Sequence, residues 1–266
     1  MEIRKAKLVY YSPTGTGKTT ITAIMNGIGL DHDIIDLTPP DSGIKNYDVS
    51  SDELAIIEAP VYSGRISTVA ANRIKKLKGN NTPAVLVVMY GNRAFEDALL
   101  ELKNFTSELG FKAIAGAAFI GQHSFNSEKT PIATGRPDAE DLMIAEAFGE
   151  KILGKLLRVG DISELEVPGN YPYIVHPQRI TQGGGIYPVT NPETCILCGL
   201  CARVCPTACI EVIESVNTDK TKCTACSACV QNCPTSARNW THERILRGAN
   251  RLTTNHGNRK EPEVFL

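Results

Sequence analysis

No cysteine occurs before Cys195 in the 266-residue chain. A disulfide framework is therefore excluded for everything upstream, and an apolar core must hold that part together. No run of about 18 apolar residues occurs, so the sequence predicts no membrane-spanning helix. Charge of one sign is also missing. The formal net charge is −1, too small to draw the chain onto nucleic acid or an anionic surface. The N-terminus, Met1 to Lys7, enters an apolar strand directly and lacks the long apolar region and small-residue cleavage site of a signal peptide. A cytoplasmic protein is expected. No G-x-G-x-x-G follows an apolar run, so a dedicated dinucleotide-binding domain is not expected.

The cysteine-free part alternates short apolar runs with helical patterns. Strands are expected at Lys7 to Tyr11, Asp33 to Leu37, Leu54 to Ala59, Ala84 to Tyr90 and Phe111 to Ile120. The runs "LAIIEA" and "AVLVVMY" are continuously apolar, as in strands covered on both faces. Helices are expected at Lys18 to Gly27, Thr68 to Leu77, Phe95 to Leu109 and Asp138 to Leu157. Five strands alternating with helices predict an α/β fold with an open parallel sheet, and such sheets bind ligands beyond the C-terminal ends of their strands.

All nine cysteines lie between Cys195 and Cys233. "CILCGLCARVCP" places Cys195, Cys198, Cys201 and Cys205 before Pro206, and "CTACSACVQNCP" places Cys223, Cys226, Cys229 and Cys233 before Pro234. Zinc sites favour two separated ligand pairs, whereas each of these runs is C-x2-C-x2-C-x3-C-P. The region resembles the bacterial ferredoxins that carry two [4Fe-4S] clusters. That resemblance implies crossed ligation: Cys195, Cys198, Cys201 and Cys233 for one cluster, and Cys223, Cys226, Cys229 and Cys205 for the other. Cys209 stands outside the pattern and reads as a small buried apolar residue.

Near the N-terminus, Ser12-Pro13-Thr14-Gly15-Thr16-Gly17-Lys18 joins the first strand to the first helix. As a nucleotide P-loop it has Ser12 where glycine is required, and Glu58 is the one nearby acid for Mg²⁺. It resembles instead the flavodoxin S-x-T-G-N-T loop, with Thr16 in place of asparagine and Gly17 in place of threonine. Two later loops resemble the flavin-ring loops of flavodoxin domains. One carries Pro60, Val61, Tyr62, Ser63 and Gly64, the other Tyr90, Gly91, Asn92, Arg93, Phe95 and Asp97. His123 and Phe125, after the fifth strand, are expected to be packing residues.

Taken together, the chain resembles the flavodoxin–ferredoxin fusion proteins of anaerobic bacteria and archaea. The resemblance implies a flavodoxin-like open parallel five-stranded sheet plus a small α+β bacterial ferredoxin domain. The expected division is 1–160 for an FMN domain, 161–188 for a linker, 189–240 for the ferredoxin domain and 241–266 for a basic tail. In that tail a short helix at Glu243 to Arg251 is expected, followed by a frayed end. The implied cofactors are FMN and two [4Fe-4S] clusters. The implied role is electron transfer between these cofactors and external redox proteins, one a donor and one an acceptor. An FMN-dependent reductase of a small molecule or quinone, and an ATPase carrying a ferredoxin domain, are the alternatives. No nucleic-acid partner and no membrane span are expected, and a homodimer is compatible with the sequence.

Overall fold

The computed structural model describes residues 3–158, 165–174 and 184–266. Five strands form a parallel sheet: β1 (Lys5–Tyr10), β2 (His32–Asp36), β3 (Glu53–Tyr62), β4 (Thr82–Tyr90) and β5 (Phe111–Ile120). Their order across the sheet is β2-β1-β3-β4-β5. This is the flavodoxin-like doubly wound order, with its switch point between β1 and β3. Each expected strand is present, displaced at its ends by a few residues at most.

Neighbouring residues of the central strands point to opposite faces, and both faces are apolar. Val9, Ile57, Leu86 and Val88 pack on the side of α2 (Thr68–Ile74) and α3 (Ala98–Glu108). Leu8, Ile56, Val85 and Val87 pack on the side of α1 (Thr16–Ile28) and α4 (Ala139–Leu156). Each such side chain, fully buried, contributes about 1.5–3 kcal/mol. Two glycines let α1 and α4 touch backbone to backbone. A Cβ on Gly27 would collide with the carbonyl of Glu146, and one on Gly149 with the carbonyl of Ile24. This close packing fixes the C-terminal half of α1 against α4.

The cysteine region is built from short elements. Strand β6 (Val189–Thr190) pairs with β9 (Arg238–Asn239), and β7 (Ile210–Val212) pairs with β8 (Val216–Thr218), both antiparallel. The one-turn helices α5 (Leu200–Arg203) and α6 (Ala228–Gln231) lie between them. Of the expected linker, residues 161–164 and 175–183 lie outside the described residues. The described stretch is anchored: the N–H groups of Asn170 and Ile174 donate to the buried Asp97 carboxylate at 2.8 and 2.6 Å.

The expected fraying of the C-terminal tail is corrected by the structure. Helix α7 runs over Glu243–His256, and β10 (Glu263–Phe265) then adds antiparallel to β5 as a sixth main strand. The tail's basic residues hold it there. Arg259 pairs with Asp138 at 2.5 Å, and Lys260 Nζ donates to the Arg93 carbonyl at 2.5 Å. Asn92 Nδ2 donates to the carbonyls of His256 and Asn258. The tail thus covers what would otherwise be the open edge of β5.

Deleting residues 261–266 should expose that edge and the Phe265 contact. Phe265 is partly buried, so a loss below the roughly 1.5–3 kcal/mol of full burial is expected for the aromatic alone, read as a fall of a few degrees in the thermal unfolding midpoint. A midpoint equal to that of the full chain would show that β10 contributes nothing.

Candidate functional site

The chain leaves β1, passes through residues 11–15 and enters α1 at Thr16. Within this turn Ser12 is held twice: its N–H donates to Thr38 Oγ1 at 2.9 Å, and its Oγ accepts the Lys18 N–H at 3.1 Å. Gly15, at φ 84°, is the N-cap and offers no side-chain cap. A helix N-terminus whose N-cap has no side chain, approached by serine and threonine hydroxyls, is suited to an anionic phosphate.

Beside this turn lies a cavity open to solvent. Four strand ends build it. Ser12, Thr14 and Thr16 come from the first turn, and Pro60, Val61, Tyr62 and Ser63 from the end of β3. Met89, Tyr90 and Gly91 follow from β4, and Gly121 to Phe125 from the loop after β5. The remaining wall is Thr224, Ala225 and Cys226, supplied by the second cysteine run. Sequence reasoning missed that wall, because nothing in either segment marks which part of the cysteine region meets the sheet.

The other expected contact residues have different surroundings. Gly64 faces the Glu96 carboxyl, which ion-pairs with Arg93 at 2.5 Å. Phe95 is buried against Tyr90, with ring centroids 5.6 Å apart. Asn92 ties down the tail and Asp97 anchors residues 170–174, so neither lines the cavity. Lys18 is exposed on α1. His123 and Phe125, expected to be packing residues, stand on the cavity rim.

Glu58 forms part of the cavity wall and is 1% exposed. Burial raises its carboxyl well above the ordinary range, opposed only by the Tyr11 backbone N–H. Its Oε2 has no hydrogen-bond partner among the described residues. The carboxyl also accounts for Gly17. A Cβ at residue 17 would land on the Glu58 carboxyl group, so the side chain found there in the flavodoxin loop cannot coexist with Glu58 in this position. His123 is neutral: burial, with Arg93 adding, pushes its imidazole down to about 4. Its Nδ1 accepts the Phe125 N–H at 2.9 Å. Burial lifts the Tyr90 phenol to about 12. At neutral pH, His123 and Tyr90 therefore carry no charge into the cavity, and burial disfavours the charged form of Glu58.

The eight patterned cysteines divide between two smaller cavities. Cys195, Cys198, Cys201 and Cys233 line one; Cys205, Cys223, Cys226 and Cys229 line the other. Each therefore contains three thiols of one run and the fourth of the other run. Among the described residues, no three cysteine, histidine or acidic side chains converge as a single-ion site requires. The thiols instead surround spaces, an arrangement that fits an inorganic cube. Cys209 is buried, as expected, yet it belongs to the second of these sites. Its Sγ is 3.4 Å from that of Cys205, and its N–H donates to Cys205 Sγ at 3.4 Å. Such N–H···S bonds are among the groups that tune iron–sulfur centres.

Residues 187–244 match the family model described as a 4Fe-4S dicluster domain. The chain joins a flavodoxin-like sheet to a ferredoxin domain. Solved structures similar to the sheet portion include a flavodoxin from the domain Archaea, at 15% identity and TM-score 0.38, over 58% of this chain and 99% of that one. The Streptococcus pneumoniae TIGR4 flavodoxin is similar at 17% identity and TM-score 0.37, over 57% of this chain and 99% of that one. Rubredoxin oxygen:oxidoreductase from the anaerobe Desulfovibrio gigas is similar at 12% identity and TM-score 0.42; the match spans 58% of this chain and 36% of that one. No curated protein matches the chain. The fold assignment rests on the strand order of the sheet itself. Among the described residues, no helix is long and apolar enough to cross a membrane.

Glu58 sets a pH dependence whose sign follows from its environment. A carboxyl raised in the folded state stabilises the fold below its unfolded pKa, and that contribution is lost as pH rises through the folded value. Glu58→Gln removes the titration. In apoprotein unfolding between about pH 4.5 and about pH 8, the variant should gain on the wild type steadily as pH rises. Parallel pH profiles would show that the carboxyl is not held neutral.

Proposed function

We propose that the protein is an electron-transfer flavoprotein, holding FMN in the large cavity and two [4Fe-4S] clusters in the two cysteine-lined cavities. It would exchange electrons with external redox proteins. The single observation that carries this reading is the shared wall: Thr224, Ala225 and Cys226 belong to a cysteine run and also line the cavity behind the phosphate turn. FMN supplies one- and two-electron chemistry, while a cluster exchanges one electron at a time.

The residues present fit FMN. Ser12, Thr14, Gly15, Thr16 and Gly17, with Lys18 beside them, would hold the phosphate. Pro60 to Gly64, together with Tyr90, Gly91 and the neutral His123, would enclose the ring. Asn92, Arg93, Phe95 and Asp97 would act at one remove, by fixing the loop after β4. The cluster ligands are proposed as the crossed sets, Cys195, Cys198, Cys201 and Cys233 against Cys223, Cys226, Cys229 and Cys205. In domain terms the reading assigns 1–160 to the flavin unit and 189–240 to the clusters.

Two features weigh against the nucleotide alternative. Glu58, the acid that an ATPase would need for Mg²⁺, is buried, and burial disfavours its ionised form. Ser12 occupies the place of the first P-loop glycine.

Denaturing the anaerobically purified protein should release FMN, identified by mass. Recovery of FAD, of no flavin, or of tight Mg²⁺-dependent ATP binding would overturn the assignment.

Electron flow is tested at the shared wall in the full-length chain, because truncation at residue 190 would also remove β10 from the sheet. Cys209 lies close enough to replace Cys205 as a ligand, so both are changed. The Cys205→Ala/Cys209→Ala variant should lose about half of its iron and sulfide. In stopped flow, a one-electron donor acting through the clusters should then reduce its flavin much more slowly. Undiminished flavin reduction would mean that this cluster is not the route. Steady turnover of a small acceptor would favour the reductase reading instead.

A further inference from the structure

The two cysteine runs are an internal repeat, and at one position an apolar residue in one half is replaced by a charged residue in the other. After the last cysteine of the first run the chain reads Cys205-Pro206-Thr207-Ala208-Cys209-Ile210; after that of the second it reads Cys233-Pro234-Thr235-Ser236-Ala237-Arg238. Ile210 and Arg238 each open a short strand, β7 and β9. Both are buried, at 8% and 2% exposure. Where one half of the repeat places an aliphatic side chain, the other places a guanidinium.

That guanidinium lacks the partner a buried cation ordinarily has. No carboxylate among the described residues forms an ion pair with it. Its Nη1 donates to Thr190 Oγ1 at 2.8 Å and its Nη2 to Thr218 Oγ1 at 3.2 Å, both neutral oxygens. Nε has no partner. Its remaining contact is sulfur, with Nη2 3.7 Å from Cys229 Sγ. Arg238 lines both of the cysteine cavities. A buried charge costs several kcal/mol unless opposite charge compensates it, and here the available opposite charge is thiolate sulfur on either side.

We infer that Arg238 is a shared electrostatic positioning residue, a fixed positive charge between the two iron–sulfur sites that raises the reduction potential of both clusters. The inference rests on the cluster reading above. Each reduction adds one electron from a one-electron donor, with no bond made or broken. A guanidinium stays protonated throughout, so no proton accompanies the electron. The added negative charge is stabilised by a cation held in a low-dielectric surrounding, where the attraction exceeds its value in water. Cluster potentials respond to local charge, hydrogen bonds to sulfur and burial, and Arg238 acts on the first two together. A cation serving one cluster alone would need to line only one cavity.

The test compares the wild type with Arg238→Ile and Arg238→Lys by anaerobic redox titration with dye mediators. EPR follows each cluster, and iron and sulfide are counted. Isoleucine is the repeat's own residue at this position, so the packing it needs already has a counterpart at Ile210. In Arg238→Ile both midpoints should move to more negative potential; in Arg238→Lys both should remain near the wild-type values. Loading of Arg238→Lys but not of Arg238→Ile would also support the charge assignment. Unmoved midpoints in a fully loaded Arg238→Ile, a shift confined to one cluster, or failure of both variants to load would overturn it. Wild-type iron and sulfide short of two cubes would overturn the cluster reading as well, which distinguishes the two failures.

Discussion

The guanidinium of Arg73 donates at once to the carbonyls of Leu37, Thr38 and Pro206, and it stacks over the Tyr11 ring at 5.2 Å. Leu37 and Thr38 follow β2, Tyr11 begins the phosphate turn, and Pro206 ends the first cysteine run. One side chain therefore fixes the switch-point end of the sheet against the ferredoxin domain. Hydrogen bonds from a charged donor contribute about 1.5–3 kcal/mol each, and more is lost when a buried partner is stranded. A second tie lies across the cavity. Ser227 Oγ donates to the Ser124 carbonyl, and Trp240 Nε1 donates to Ser227 Oγ at 2.9 Å. Between these ties sits the turn of Thr224, Ala225 and Cys226. If the domains slid, that turn would no longer form a cavity wall, and the proposed electron path would open to water.

Two kinds of buried polar group surround the proposed cofactors, and they behave differently. Toward the proposed flavin cavity, burial favours the neutral forms of Glu58, His123 and Tyr90. Between the cysteine cavities, the buried Arg238 guanidinium bonds to neutral threonine oxygens and approaches the Cys229 sulfur. The proposed flavin site is thus lined by groups that offer dipoles, whereas the proposed iron–sulfur sites would share a fixed field. A two-electron cofactor that gains protons and a one-electron centre that need not gain them are well matched to these two surroundings.

The C-terminal residues complete the sheet portion, although they follow the ferredoxin domain in sequence. Strand β10 covers β5, Arg259 reaches Asp138 at the start of α4, and Asn92 holds the chain between them. The ferredoxin domain is consequently an excursion whose entry and exit both return to the sheet. Tethering at two ends restricts its motion relative to the cavity more than a single linker would.

Periodicity and spacing in the sequence were sufficient for all five parallel strands, for α1 to α4 and for the two four-cysteine runs. Those features are local: alternation of apolar runs with helical faces, and gaps of two and three residues between cysteines, do not depend on what lies across the molecule. The first half of the site was legible for the same reason, since Ser12, Thr14, Thr16, Tyr62 and Tyr90 stand at strand ends that the pattern itself locates. What the tertiary structure decided is whatever depends on meeting. Asn92 and Asp97 looked like ring-loop residues, yet they bond to chain segments far along the sequence, at 256–258 and 170–174. Gly17 looked like a departure from a loop pattern until Glu58, on another strand, proved to occupy the space. The tail carried too short an apolar pattern to announce a strand, because β10 owes its existence to the open edge of β5. No motif in the sequence marks Arg238, and only the folded chain placed it, buried and without a carboxylate partner among the described residues, between two sets of thiols. Local pattern sets the elements, while long-range contact sets the environment of each side chain, and it is environment that fixes charge and proton affinity.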